Sequence, residues 1–225
     1  MKLFVQNNTD SAVAAFLSKY FNCISVPENS LLDRPVSSHI DMQIFIFPDK
    51  TAVCAPFCLE FYKKNLPDFT ILSGAMPQSP YPYDVLYNCF IAGNCLFCNE
   101  RATDKTILSY ARKLGLKIVR VAQGYAKCST IIVSKTKIIT SDPSIRLAAE
   151  KEGLSVLKTV NDTVFLQGYD SGFIGGASFV TDNALFFTGD ISKHPDYDRI
   201  LSFSEKKVFF INNRPLYDYG NINPV

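Results

Sequence analysis

Apolar and polar positions along the chain recur in one pattern. HIDMQIFIFPDKTAVCAP (39–56), YDVLYNCFIAGNCLFCN (83–99), GYAKCSTIIVSKTKIITSD (124–142) and GYDSGFIGGASFVTDNALFFTGD (168–190) each read as a β-rich run, a polar turn and a second apolar run. The turns fall near Asp49-Lys50, Gly93-Asn94, Lys135-Thr136 and Asp182-Asn183, a spacing of about 42 to 47 residues. The tripeptide QGY recurs at 123–125 and 167–169.

Between hairpins the period changes from two to that of a helix. In TDKTILSYARKLGLKIVRV, Thr103 or Asp104 caps a helix whose apolar stripe is Ile107, Leu108, Ala111 and Leu114; Gly115 ends it before a strand over Lys117–Val121. SDPSIRLAAEKEGLSVLKTV repeats the plan, with Ser141 or Asp142 as cap, Pro143 in the first turn and Gly153 as stop. The unit is therefore β-β-α-β. The N-terminal stretch reads strand, helix (about 10–21), strand, and lacks a first strand; the C-terminal NRPLYDYGNINPV supplies one, expected near residues 216–222. Joined, the two ends make a fifth unit, and a ring closed by the terminal strands is favoured over an open mixed sheet.

Length and charge narrow the class. At 225 residues, 47% hydrophobic and 20% charged, the chain can bury an ordinary core as one domain, 1–225. A net charge of +2 with interspersed signs and no Lys/Arg block argues against nucleic acid. No apolar run approaches the ~20 residues of a membrane span, and MKLFVQNNTD does not read as a signal peptide. The seven cysteines then read as reduced thiols of a cytoplasmic protein.

Five β-β-α-β units in a ring resemble the pentein fold, the α/β propeller of arginine and agmatine deiminases, dimethylargininases and amidinotransferases. The whole chain is also similar to a bacterial family assigned to that fold, whose members carry QGY.KCS and GYD.GFIGGAS stretches. HIDMQIF resembles the deiminase His-x-Asp strand start, which implies a general acid and base at His39 and a guanidinium-holding carboxylate at Asp41. YNC (87–89) resembles the Asn-Cys strand of dimethylargininases and points to Asn88 in substrate binding. GYAKCSTIIVSK resembles their nucleophile strand, with Cys128 as nucleophile. FIGGASFVTDNALFFTG resembles the acidic-Gly-Gly-Asp motif, but Ile174 replaces the acid and Ala177 the aspartate. Asp170 and Asp218, each near the start of an inner-strand candidate, are the carboxylates available to compensate.

The chemistry asks for these residue types. A guanidinium carbon is a poor electrophile, so it needs a thiolate, a proton for the leaving amine and carboxylates that hold the cation. Each residue also has a plainer role. His39 alone reads as a strand cap, Cys128 as a small apolar residue, and His194 as the polar start of a helix. Lys127, beside Cys128, would favour a thiolate, although strand alternation points it the other way.

CLFC (95–98) and CAPFC (54–58) invite a zinc site, but Cys95 and Cys98 on one strand face opposite sides, so no metal and no cofactor is expected. GFIGG opens no helix; its glycines suit close backbone approach instead. The loop AMPQSPYPYD (75–84) is a lid or a connection.

Two functions follow. One is a cysteine-dependent hydrolase or transferase acting on a guanidine- or amidine-type small molecule, favoured by the His-x-Asp and the cysteine. The other is a non-catalytic pentein that binds a protein partner or small ligand, favoured by the missing motif acid.

Overall fold

The chain opens with β1 (Lys2–Val5), α1 (Ser11–Leu17) and β2 (Asn22–Ser25). Four hairpin units follow. They are β3 (Ile44–Ile46), β4 (Thr51–Cys54), α2 (Leu59–Asn65) and β5 (Thr70–Ser73); β6 (Phe90–Ala92), β7 (Cys95–Cys98), α3 (Lys105–Lys113) and β8 (Lys117–Arg120); β9 (Thr130–Ile132), β10 (Lys137–Thr140), α4 (Pro143–Lys151) and β11 (Ser155–Lys158). After a short strand β12 (Val164–Phe165) come β13 (Ser178–Val180), β14 (Ala184–Phe187), α5 (Tyr197–Ser204) and β15 (Lys207–Phe209), then β16 (Leu216–Tyr217) and β17 (Asn223–Pro224). This computed structural model describes residues 1–161, 163–221 and 223–224.

Each hairpin unit forms a three-stranded sheet of one design. The first strand runs antiparallel to the second, as in Phe45 opposite Val53, and the second runs parallel to the third, as in Val53 opposite Leu72. The same order holds for β6-β7-β8, β9-β10-β11 and β13-β14-β15. A middle strand with a hydrogen-bonded neighbour on each edge and side chains covered on both faces reads as a continuous apolar run, not an alternating one. TAVC, CLFC and ALFF are accordingly buried at every position, while the third strands TILS and KIVR are exposed at both ends and covered in the middle. Asp104 and Asp142 accept backbone N–H groups in the first turns of α3 and α4, and Gly115 and Gly153 take φ of +71° and +81° just past their ends. Helix α1 stops at Leu17, short of the expected 21, because Ser18 to Tyr20 tighten into turns.

The terminal strands make a fifth sheet of the same design. β1 is antiparallel to β17, with Leu3 opposite Pro224 and Phe4 opposite Asn223, and parallel to β2. The pairing strand lies later than the expected 216–222, of which Ile222 falls outside the described residues. Leu216–Tyr217 pairs in parallel with β12 instead. The reason is local. Gly220 and Asn221 take φ of +69° and +52°, which breaks any single extended strand there. No helix among the described residues is long and apolar enough to cross a membrane.

Candidate functional site

The turns that lead into the first strands of the five units hold the candidate residues. Asp41 precedes β3, Asn88 precedes β6, Cys128 precedes β9, Gly175 and Gly176 precede β13, and Asp218 lies between β16 and β17. None of these residues is on a strand. His39 is the N-cap of a single 3-10 turn, Ile40–Met42, that contains Asp41. Cys128 sits in a turn closed by Ser129 N–H to Tyr125 O and Thr130 N–H to Lys127 O. The strand start expected of His39 and Asp41 is therefore a 3-10 turn, which rotates successive side chains by about 120°, not the 180° of a strand. The turn that holds Cys128 likewise removes the alternation that was to point Lys127 away from the thiol.

Close approach of backbone explains the glycines of GFIGG. A Cβ on Gly175 would overlap the Cys128 carbonyl, and one on Gly176 or Gly172 would strike Asp218. Gly176 N–H donates to Cys128 O at 3.0 Å, and Tyr219 N–H donates to Gly176 O at 3.0 Å. Gly220, with positive φ, lies flat against the His39 side chain, and its carbonyl accepts from Asp41 N–H at 3.2 Å. Four segments distant in sequence are thus stitched together around one point.

At that point the ligating atoms of His39, Cys128 and Asp218 all lie within 4.8 Å of one another, and all three residues are buried. The Cys128 thiol donates to Asp41 Oδ2 at 2.5 Å. Asn88 holds the nucleophile loop from the other side: its Oδ1 accepts from Lys127 N–H at 2.8 Å and Cys128 N–H at 3.2 Å, and its Nδ2 reaches Cys128 Sγ at 3.5 Å. Asp218 accepts Phe173 N–H on Oδ2 and Gly220 N–H on Oδ1, both at 2.9 Å. Two buried atoms of this cluster, Asp41 Oδ1 and His39 Nε2, have no partner among the described residues and are free to meet a ligand.

Burial dominates the electrostatics. It pushes Asp41 up to about 6, against the Cys128 hydrogen bond and the Lys127 charge. It pushes Asp218 up to about 7, helped by the charge of Asp41 and opposed by its two backbone donors. The Cys128 thiol is raised well above its ordinary value by burial and by both carboxylates. His39 is pulled down to about 3 by burial, despite a hydrogen bond to the Asp218 backbone, so its imidazole is neutral. The cluster therefore joins acceptors to a thiol, and the opposing charge that reaches Asp41 is that of Lys127, which lines the neighbouring cavity.

Two cavities flank this cluster. One, of about 230 Å3, is lined by His39, Cys128 and Asp218 together with Tyr125, Tyr169 and Phe173, and Asp170 lies exposed on its wall, on a bend and not at a strand start. The other, of about 400 Å3, is lined by Asp41, Lys127 and Lys135 among the apolar side chains of β3 and β6. Asp41 thus lines the second cavity while touching the thiol of the first. His194 lines neither; its Nδ1 accepts from Asp196 N–H at 3.0 Å ahead of α5, and its Nε2 faces Val160 O at 3.2 Å. Cys95 and Cys98 lie on β7, as expected.

Tyr125, Tyr169, Phe173 and Gly220 were not singled out from sequence. The signal for the tyrosines was present: both copies of QGY end at a tyrosine of the same cavity wall. The 75–84 loop lies against that wall, since the Tyr81 ring fills the space a side chain at Gly124 would need and sits 5.8 Å from the Tyr125 ring.

Residues 4–223 match the family described as "Family of unknown function (DUF6873)", and the chain belongs to that family. No curated protein matches. Among solved structures, a dimethylarginine dimethylaminohydrolase adduct with S-methyl-L-thiocitrulline is similar over 94% of this chain and 92% of its own, at 10% identity and a TM-score of 0.57. The Pseudomonas aeruginosa enzyme complexed with citrulline gives 94% and 91%, 9% identity and 0.57. ArgZ, an arginine dihydrolase of the cyanobacterial ornithine-ammonia cycle, gives 93% and 36%, 11% identity and 0.56. At such identities the likeness is one of fold, a mixed α/β fold of the pentein kind.

Proposed function

We propose that the chain is a single-domain, cysteine-dependent hydrolase or transferase acting on a guanidine- or amidine-type group, with Cys128 as nucleophile, His39 as base and acid, and Asp41, Asp218 and Asn88 binding the reacting end. The observation that carries this reading is the gathering, from three distant turns at one buried point, of a thiol, a neutral imidazole and two carboxylates that form no salt bridge among the described residues. A planar cation with N–H donors around its rim supplies what that point lacks. It offers a donor to Asp41 Oδ1 and charge to both carboxylates. Asp218, seated against Gly172 and Gly176, takes the place left by the missing motif acid.

The thiol pKa fits a sequence in which the substrate enters first. In the empty pocket the carboxylates hold Cys128 protonated. When a guanidinium neutralises them, the thiol proton can pass to His39 Nε2, whose imidazolium the same carboxylates stabilise. Sulfur then attacks the guanidine carbon and forms a C–S bond. The C–N bond to the leaving amine breaks, and that amine takes the proton from His39. Water, or an acceptor amine in a transferase, gives a proton back to His39 as it attacks the carbon. The C–S bond breaks and the sulfur regains its proton.

The alternative is a pentein that binds the same kind of ligand without chemistry, and the raised Cys128 thiol favours it. One experiment separates the two. The protein is incubated with an S-alkylthiouronium or a chloroacetamidine, and its intact mass is measured. A single adduct on Cys128 that His39→Ala slows supports catalysis. Thermal stabilisation by guanidines without any adduct supports the binding protein.

We read the five sheets as blades of a ring closed by β1 and β17, with the site turns towards its centre. Removing residues 222–225 takes away the strand beside β1, and we expect a lower melting temperature and loss of ligand binding together. An unchanged melting temperature would count against closure.

A further inference from the structure

Outward from the thiol, the cavity of about 230 Å3 is walled by Tyr125, Tyr169, Phe173 and Asp170, and no lysine or arginine lines it. Its aromatic rings form a series: Tyr81 to Tyr125 at 5.8 Å and Tyr125 to Phe173 at 5.7 Å, each pair tilted by about 30°. Behind the phenols stand more acids. Tyr125 donates its hydroxyl to Asp84 Oδ2 at 2.5 Å, and Tyr169 donates to Asp33 Oδ2 at 3.4 Å. Asp84 is 6% exposed, and its Oδ1 is buried with no partner. None of the salt bridges among the described residues involves Asp33, Asp41, Asp84, Asp170 or Asp218.

A buried carboxylate oxygen without a donor is costly, and aromatic faces beside it attract cations. A carboxylate on the substrate's far end would meet Asp170, ring faces, apolar side chains and the Ser171 hydroxyl here, and no cationic side chain among the described lining residues.

We infer that the far end of the substrate is itself a cation, so that the ligand class is a guanidino-amine and not a guanidino acid; this rests on the function proposed above. The guanidine end meets Asp41 and Asp218, and the ammonium end meets the ring series and the Asp84 and Asp33 carboxylates behind it. The aromatic wall between the two ends suits an aliphatic spacer.

The test uses three ligands that share a four-carbon chain: agmatine, butylguanidine and guanidinobutyrate. Their affinities are measured by titration calorimetry on the Cys128→Ala protein, which cannot turn them over, and by thermal shift on wild type. We expect agmatine to bind about tenfold more tightly than butylguanidine, the scale of one charge-assisted contact, and guanidinobutyrate to bind weakest. Asp84→Asn should shrink the agmatine preference towards one. If that buried substitution unfolds the protein, the exposed Asp33→Asn should move the ratio in the same direction. Equal affinities, or guanidinobutyrate in first place, would overturn this inference and leave the proposed chemistry standing. Failure of all three to bind would overturn both.

Discussion

The two cavities that flank Asp41 and Cys128 are built from the same kinds of turn, yet they carry opposite charge. The smaller has the thiol, the imidazole, Asp218 and a ring of tyrosines backed by acids. The larger has Lys127, Lys135 and an apolar wall from β3 and β6. Asp41 stands at the boundary. Its Oδ2 accepts the thiol proton, and its charge is supported by Lys127 on the other side. The difference teaches that volume is a poor guide to chemistry. The larger space has a buried thiol of its own, Cys89, but no imidazole on its wall, whereas the smaller one joins Cys128 to His39 and Asp218. In the smaller cavity the arrangement creates a demand for positive charge; in the larger it supplies some.

The largest effect that would break this comparison lies at Cys128. Because its thiol is raised, a neutral alkylating agent such as iodoacetamide should label it slowly, while the cationic chloroacetamidine should label it much faster by pairing with Asp41 and Asp218. Cys128→Ala should abolish that labelling and any turnover, by at least ~1,000-fold, while guanidine binding persists. Equal rates for the two reagents, read by intact mass, would remove the acidic cavity's claim to a cation.

Next comes Asp41→Asn. Neutral asparagine keeps the shape and loses the charge, so guanidine affinity should fall about 10- to 100-fold, the range of a hydrogen bond to a charged group. Calorimetry on the Cys128→Ala background checks it. Lys135→Met, in the larger cavity and at the opposite end of β9 from the thiol, should leave that affinity unchanged; a comparable loss there would move the binding site to the wrong side.

How much of this contrast was legible in sequence depends on the level. The hairpins were legible because fully apolar middle strands, such as CLFC and ALFF, alternate with turn residues at fixed spacing. The caps were legible because Asp104 and Asp142 stand where a helix leaves four N–H groups unpaired. The site residues were named through a family resemblance, but their geometry was not readable. A strand start was expected at His39 and Asp41 and strand alternation at Lys127, and all three lie at or in tight turns where neither holds. The completing strand was misplaced because positive φ at Gly220 and Asn221 is not visible in NRPLYDYGNINPV, where asparagine and glycine are equally at home in an ordinary loop. Asp84 was hidden because its meaning depends on Tyr125, 41 positions away in sequence.

A smaller effect concerns pH and stability. Asp218 has a folded pKa near 7, above its unfolded value. Folded protein therefore binds the extra proton between about pH 4 and 7, and this contribution to stability is present at low pH and lost as pH rises through 7. His39 works in the opposite sense, since its folded pKa near 3 lies below the unfolded one; its contribution is absent at low pH and grows as pH rises from about 3 to 6.5. The two overlap, so the wild-type profile alone decides nothing. The difference between Asp218→Asn and wild type isolates the carboxylate. In denaturant titrations that difference should move in favour of the variant as pH rises from about 4 to 7, with a slope approaching about 1.4 kcal/mol per pH unit inside that window, and level off above it. A pH-independent difference would mean that Asp218 is not held in its protonated form.

The smallest effect sharpens the boundary itself. Lys127 is partly buried, and burial lowers its ammonium to about 8, while Asp41 and Cys128 pull it back up. Its charge is among the influences that oppose the rise of Asp41. Lys127→Met keeps the length of the side chain and removes the charge, so Asp41 should then take up its proton at higher pH. A guanidinium needs Asp41 ionised, and binding should therefore weaken on the acidic side of neutrality while remaining near wild type above pH 8. The binding midpoint should move upward by about one pH unit, the low end of what an adjacent opposite charge does to a carboxylate. Calorimetry between pH 5 and 8 on the Cys128→Ala background reads it directly. A uniform loss at every pH would mean that Lys127 acts by packing, and a downward movement would place its charge nearer the ligand than the carboxylate. Only an upward movement makes the larger cavity what its position beside Asp41 implies, a support that keeps the acid of the smaller one charged.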